Sequence, residues 1–264
     1  MQRLATFAAL VLLSAPAWCA DFVITKAKHT DASKIMGREQ PAQDSTEITW
    51  MGKDRMRVEE GTRVTLVRAD LKKMFMLDTA AKTYTAVDLP FDMKKYVPAD
   101  MAKMIEPMMA QMKATVTPTT ETKKIKDWTA TKYTLTMTGP MGSTVTQDLW
   151  ATKDVALDAA TMASMRETLM SVSMMAGPMA AEMKKVDGLV LVTERTQTVM
   201  GTAIKSKEEV TSIEQKEPAA GLYELPKDYT ETPFDPMAES PMGGGGPGGR
   251  GPRGAPPAKA PSGG

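Results

Sequence analysis

The sequence predicts an α+β fold built on an antiparallel sheet, and three observations carry that expectation. From Asp21 to Phe234 the apolar residues recur mostly at period two, short polar links separate the runs, and two Met-rich segments interrupt them with helical periodicity. A chain of 264 residues with 42% hydrophobic composition can bury one large core.

The chain opens with a short basic stretch, Met1 to Arg3, followed by an apolar run, Leu4 to Leu13, and a small-residue exit, Ser14 to Ala20 (SAPAWCA). That is the build of a secretory signal peptide over residues 1–20, with cleavage expected after Ala17, Cys19 or Ala20. An exported protein of the periplasm or exterior follows. Bulky Trp18 stands directly before Cys19, which argues against a lipoprotein anchor there.

The expected main domain spans 21–234. DFVITKAKHT reads as its first strand, and residues 45–60 read as strand, turn at Gly52-Lys53-Asp54, and strand, with Ile48, Trp50, Met56 and Val58 at alternating positions. TRVTLVRA, KMFMLD and TYTAVDL continue a meander. In the second half, residues 128–138 place Tyr133, Leu135 and Met137 on one face and Thr134, Thr136 and Thr138 on the other. Gly139-Pro140-Met141-Gly142 turns the chain into STVTQDLWATK, and LVLVTERTQTV and TAIKSKEEVTSIEQ complete the sheet. Thr and Lys along the strands suit one wet face and blunted edges.

Residues 98–113 are the first predicted helix. At about 100° per residue, Met101, Met104, Ile105, Met108, Met109 and Met112 fall on one stripe, and Pro107 is expected to kink or restart the helix. The second helical segment, 159–186, carries Met162, Met165, Leu169 and Val172 on one face, with a break expected at Gly177-Pro178. Beyond it, residues 235–264 form an expected disordered tail: from Gly243 onward no large apolar residue occurs, and its charges, Arg250, Arg253 and Lys259, are all positive.

Composition removes most catalytic chemistry. One Cys and one His, His29, leave Cys/His zinc sites, Ser-His-Asp or Cys-His active sites and CxxC redox pairs without their parts. The 33 basic against 32 acidic residues create no global field toward nucleic acid. No enzyme activity, cofactor or metal is expected.

The remaining signal is 24 Met against 5 Phe, 5 Tyr and 4 Trp, with half of the Met residues in the two helical segments. Met has soft torsions and a polarizable sulfur, so it adapts to variable apolar shapes. Ordinary core packing explains such a stripe; so does an apolar cavity for a lipid, acyl chain or other hydrophobic molecule, lidded by the helices. In the cavity reading the lining is Met101, Met104, Ile105, Met108, Met109, Met112, Met162, Met165 and Leu169, with Trp50 and Trp150 from the strands. The protein is then a monomeric carrier or sensor with peripheral contact to a membrane or an envelope protein. A structural module packing a partner protein is the alternative, and thioether binding of Cu(I) a minor third. Arg55, Arg57 and Arg63 are candidates for contact with a headgroup or acidic partner.

Three stretches carry a family resemblance: ITWMGKDRMRVE (48–59), MFMLDTAAKTYTAVDLP (74–90, with Tyr84 after Lys82) and VTSIEQKEPAAGLYELPKDY (210–229). They resemble a secreted bacterial family of unknown function that is similar in fold to the LolA/LolB lipoprotein carriers. The resemblance implies a strongly curved antiparallel half-barrel with both helical segments over its concave face. The carriers begin with a helix, whereas DFVITKAKHT reads as strand, and no functional residue of the carriers maps onto a position here.

Overall fold

The structure, a computed structural model, describes residues 20–35, 37–139, 144–155, 163–165, 167–168, 171, 176–199 and 202–235. The expected leader apart from Ala20, the expected tail apart from Asp235, and the Pro140-Met141-Gly142 turn lie outside the described residues.

Twelve strands form one curved, largely antiparallel sheet that is not closed into a barrel. The meander supplies β4 (Gln43–Met51), β5 (Arg55–Glu60), β6 (Arg63–Arg68), β7 (Lys73–Asp78) and β8 (Thr83–Asp88). The second half supplies β9 (Lys113–Ile125), β10 (Trp128–Thr138), β11 (Thr144–Thr152), β12 (Leu189–Val199) and β13 (Thr202–Lys216). The first strand, β1 (Asp21–Thr30), joins the halves by pairing with both β4 and β13. One sheet edge is β9; at the other, the short β14 (Thr230–Glu231) pairs parallel to β8. A separate hairpin holds β2 (Ser33–Ile35) and β3 (Arg38–Gln40).

Register sorts the side chains. Phe22, Met51, Met56, Val67, Met74 and Val87 oppose one another in sequence from β1 through β4–β8, making one apolar row on one face. The neighbouring row, Val23, Trp50, Arg57, Leu66, Phe75 and Ala86, points to the other face. Trp50 and Met56 therefore face opposite ways, because the turn pairs Met51 with Met56 and Trp50 with Arg57.

Each face acquires a cover. Met165, from the helical residues 163–165, is buried with Ile24, Met51, Met56, Val67 and Leu191. Ser164 Oγ donates to the Lys53 carbonyl at 2.8 Å and the Phe91 N–H donates to the Ser171 carbonyl at 3.2 Å, tying this segment to the sheet end. On the other face Tyr223, Leu222 and Leu225 pack over Leu66, Val64, Leu77 and Trp50. Arg57 Nη1 donates to the Leu222 carbonyl at 3.1 Å and Arg68 Nη1 to that of Tyr223 at 3.2 Å. The arginines thus hold down this closing segment.

The first helix, α1, runs over Ala99–Ala110 with Pro107 inside it, so the helix does not restart at the proline. Pro107 lies in the last turn: its missing N–H leaves the Lys103 carbonyl without an i+4 bond, and only three helical residues follow it. The second, α2, spans Ala176–Met183. Gly177 and Pro178 lie within this span, and the residues directly before it, 172–175, where the expected break would show, lie outside the described residues.

Candidate functional site

α2 packs Met179 and Met183 against a cluster of Val116, Tyr133, Leu135, Leu149, Ala151 and Val186, with Ala114, Met137 and Val190 at its margin. The fit is held at the sheet edge. Glu182 accepts a 2.7 Å hydrogen bond from the Val116 N–H of β9 and a 2.7 Å contact from Lys185 Nζ. The Glu182 carboxyl lies below its ordinary range, through the Lys185 bond first and the Val116 bond next. A helix carboxylate therefore occupies a donor on the free edge of the sheet.

Beside this packing runs a groove of about 240 Å³, walled by Leu135, Leu149, Met179, Met183, Val190 and Leu191. Gln147, Thr193, Lys26 and Glu208 supply its polar end. Clefts for whole drug-sized ligands run to roughly 300–1,000 Å³, so this one suits a segment of an apolar chain rather than an entire diacyl lipid.

The polar end belongs to an ion network. Lys26 Nζ lies 3.0 Å from Glu47 and 3.9 Å from Glu208; Lys28 Nζ lies 2.8 Å from Glu60 and 3.4 Å from Glu47. Burial opposes ionisation of Glu47, yet Lys26 and Lys28 outweigh it and hold the carboxyl below its ordinary value. Burial likewise works against the Lys28 ammonium, and the Glu60 and Glu47 carboxylates more than restore it.

Two larger hollows offer less. One of about 390 Å³ under the closing segment is bordered by Arg55 and Arg68, which already engage Tyr223: Arg55 over its ring at 4.5 Å, Arg68 on its carbonyl. The other, about 430 Å³, is a charged groove around His29, Glu194, Lys205 and Lys207. His29 is exposed there between Asp44 (2.7 Å) and Asp31 (3.2 Å), and the Asp44 hydrogen bond above all raises its pKa. Among the described residues no group of three or more His, Cys, Asp and Glu could hold a metal ion, and no helix is long and apolar enough to cross a membrane.

Among the described residues, those predicted from the sequence as a cavity lining do not converge. Met104 and Met108 on α1 are 69% and 49% exposed, Met101, Ile105 and Met112 are half-buried, and Met165 is packed in the core. Trp50 is half-buried beside Tyr223 and Leu66, whereas Trp150 is buried in a different cluster under the Lys123 ammonium, 3.8 Å from its ring centroid. The Met109 side chain, Met162 and Leu169 lie outside what is described. Sequence reasoning passed over Met179 and Met183, although their i, i+4 spacing after Pro178 was a readable signal. Nothing local marked Leu135, Leu149, Val190, Lys26 or Glu208 as their neighbours.

No curated protein matches this chain. The model of a protein family described as a domain of unknown function, DUF4412, matches residues 35–229, from the end of β2 through the closing segment. That span contains α2, the groove walls and the Tyr223 cover, and the chain belongs to the DUF4412 family.

Proposed function

We propose that this protein is an exported, non-enzymatic binding protein of the cell envelope, a carrier or sensor that takes up a lipid, acyl chain or similar hydrophobic molecule. The observation supporting this most directly is the groove beside α2, where flexible Met179 and Met183 meet the apolar sheet residues Leu135, Leu149 and Val190 next to a charged end. The likeness to the LolA/LolB half-barrel agrees with a curved open sheet bearing helical cover on one face. Fold likeness alone sets no function, so the reading rests on the groove.

Native mass spectrometry of the mature chain, prepared without detergent, tests it, together with fluorescence of the apolar probe N-phenyl-1-naphthylamine. Co-purifying acyl ligand, or saturable probe binding that Met179→Glu weakens, is the expected result. Protein that carries nothing and leaves the probe dark overturns the proposal.

A second reading draws on α1. Met104 and Met108 present an apolar face to solvent, the arrangement of a surface that packs a partner protein of the envelope. A stoichiometric protein partner in the same spectra supports that reading.

A further inference from the structure

The polar end of the groove is matched in charge yet short of hydrogen-bond partners. Glu47 holds Lys26 at 3.0 Å and Glu60 holds Lys28 at 2.8 Å, while the exposed Glu208 lies 3.9 Å from Lys26 and its field reaches Lys28 as well. Arg195 is the third cation on this face. It opposes Gln147 across β11 and β12, two residues along from Thr193, and directs Nη2 to Gln197 at 2.9 Å. Its Nε is buried without an acceptor. Three cations thus meet three carboxylates, and no ionic head group is called for. Gln147 and Thr193, which line the groove at this end, make no side-chain hydrogen bond among the described residues. What the end lacks is a neutral donor and acceptor.

We infer that the groove binds a single-chain amphiphile with an uncharged hydroxyl head, its chain along Met179, Met183, Leu135 and Leu149 and its hydroxyl on Gln147 and Thr193. The inference deepens the proposed function and rests on it. A hydroxyl donates and accepts, as do the Gln147 amide and the Thr193 hydroxyl, so head and site satisfy each other without a change in net charge. A carboxylate head would add a fourth anion beside Glu47 and Glu208, and an ammonium head a fourth cation beside Lys26. Either one must break into an existing pair or stay unpaired against the apolar wall of Leu149 and Leu191. The hydroxyl chemistry has two sources, a simple long-chain alcohol and a glycerol monoester.

The test is displacement of N-phenyl-1-naphthylamine from the mature chain by decanol, monodecanoylglycerol, decanoate and decylamine, each below its solubility or micellar limit. Each affinity is referred to that compound's own transfer from water to octanol, so that head-group contacts rather than chain burial are compared. On that scale decanol is expected to bind about tenfold better than either ion. Monodecanoylglycerol outcompeting decanol assigns the glycerol ester; the reverse order assigns the simple alcohol. The nearly isosteric pair Gln147→Met, Thr193→Val should weaken decanol about tenfold and leave the ions and the probe within about twofold. Unfolding midpoints check that the sheet is intact. Glu208→Gln, a change at an exposed carboxylate, keeps the test decisive if the double variant does not fold: it should favour decanoate by about threefold and leave decanol unmoved. Decanoate or decylamine binding as well as decanol on that scale, or decanol indifferent to the folded double variant, overturns the hydroxyl assignment alone. Failure of the probe and of every ligand to bind overturns the groove reading beneath it.

Discussion

The phenol of Tyr223 donates a 2.7 Å hydrogen bond to Oδ2 of Asp21, joining residues 202 positions apart, and both are buried. This bond fastens the closing segment to the start of the central strand. Burial first, and the Asp21 carboxylate next, push the Tyr223 phenol above its ordinary value; Arg55 and Arg57 pull weakly the other way. Tyr223→Phe leaves a buried carboxylate oxygen without its donor and is expected to cost about 1–3 kcal/mol in urea unfolding. The pH sign follows from the raised value. The contribution is complete below the unfolded phenol pKa of 10.0 and is lost as pH rises beyond it toward the folded value. The gap between wild type and variant should therefore narrow above pH 10.0, and a gap that widens there contradicts the assignment.

Glu47 titrates in the opposite sense. Its folded pKa lies below the ordinary 4.5, so its stabilisation is present above 4.5 and disappears as pH falls through the folded value. Glu47→Gln strips Lys26 and Lys28 of a shared, mostly buried partner and should cost about 1–3 kcal/mol at neutral pH. Chemical denaturation at a series of pH values should show that cost shrinking in acid.

Gly188 has φ of 104° just before β12, and a Cβ there would overlap the Thr152 carbonyl. Backbone cannot move aside as a side-chain tip can. Gly188→Ala is expected to lose at least about 3 kcal/mol. Gly61 also has positive φ but open space around it, so Gly61→Ala should cost only about 1 kcal/mol. Thermal unfolding of the pair separates close packing from conformational strain.

Methionines of similar sequence context should behave oppositely. Met165→Ala removes a side chain that is 6% exposed and is expected to cost about 2–5 kcal/mol. The Met104→Asp, Met108→Asp double variant changes exposed positions and should stay within about 0.5 kcal/mol of wild type. Loss of ligand uptake in this folded variant would place α1 on the binding path; unchanged uptake would leave the groove beside α2 as the sole candidate of the two.

Glu182→Gln tests how α2 is held to the sheet edge. Its carboxylate receives the Val116 N–H, so weakening that acceptor should speed hydrogen exchange of the Val116 amide by about tenfold while Leu135 stays protected. Equal exchange in both proteins would show that the contact carries no protection.

Much of this fold is written locally. Alternation is a two-residue property, so KMFMLD, residues 128–138 and LVLVTERTQTV correspond to β7, β10 and β12 at their exact bounds, and the stripe of 98–113 to α1. β9 was missed because KATVTPTTETKKI buries only Val116 and Ile125 and includes Pro118; its extended state comes from pairing with β10 rather than from its own pattern. Whether a methionine stripe faces core, groove or water was equally illegible, since periodicity defines a face but not what meets it. That is why Met165 is core while Met104 is bare. The sequence by itself determined most of the long strands, the first helix and, through one Cys and one His, the lack of parts for Cys/His catalytic chemistry. Only tertiary structure decided that β1 is central, that Asp21 meets Tyr223, and that Lys26, Leu149, Met179 and Glu208 share one groove. Those outcomes depend on contacts between elements far apart along the chain, whose free energy exists only once the sheet has closed the distances between them.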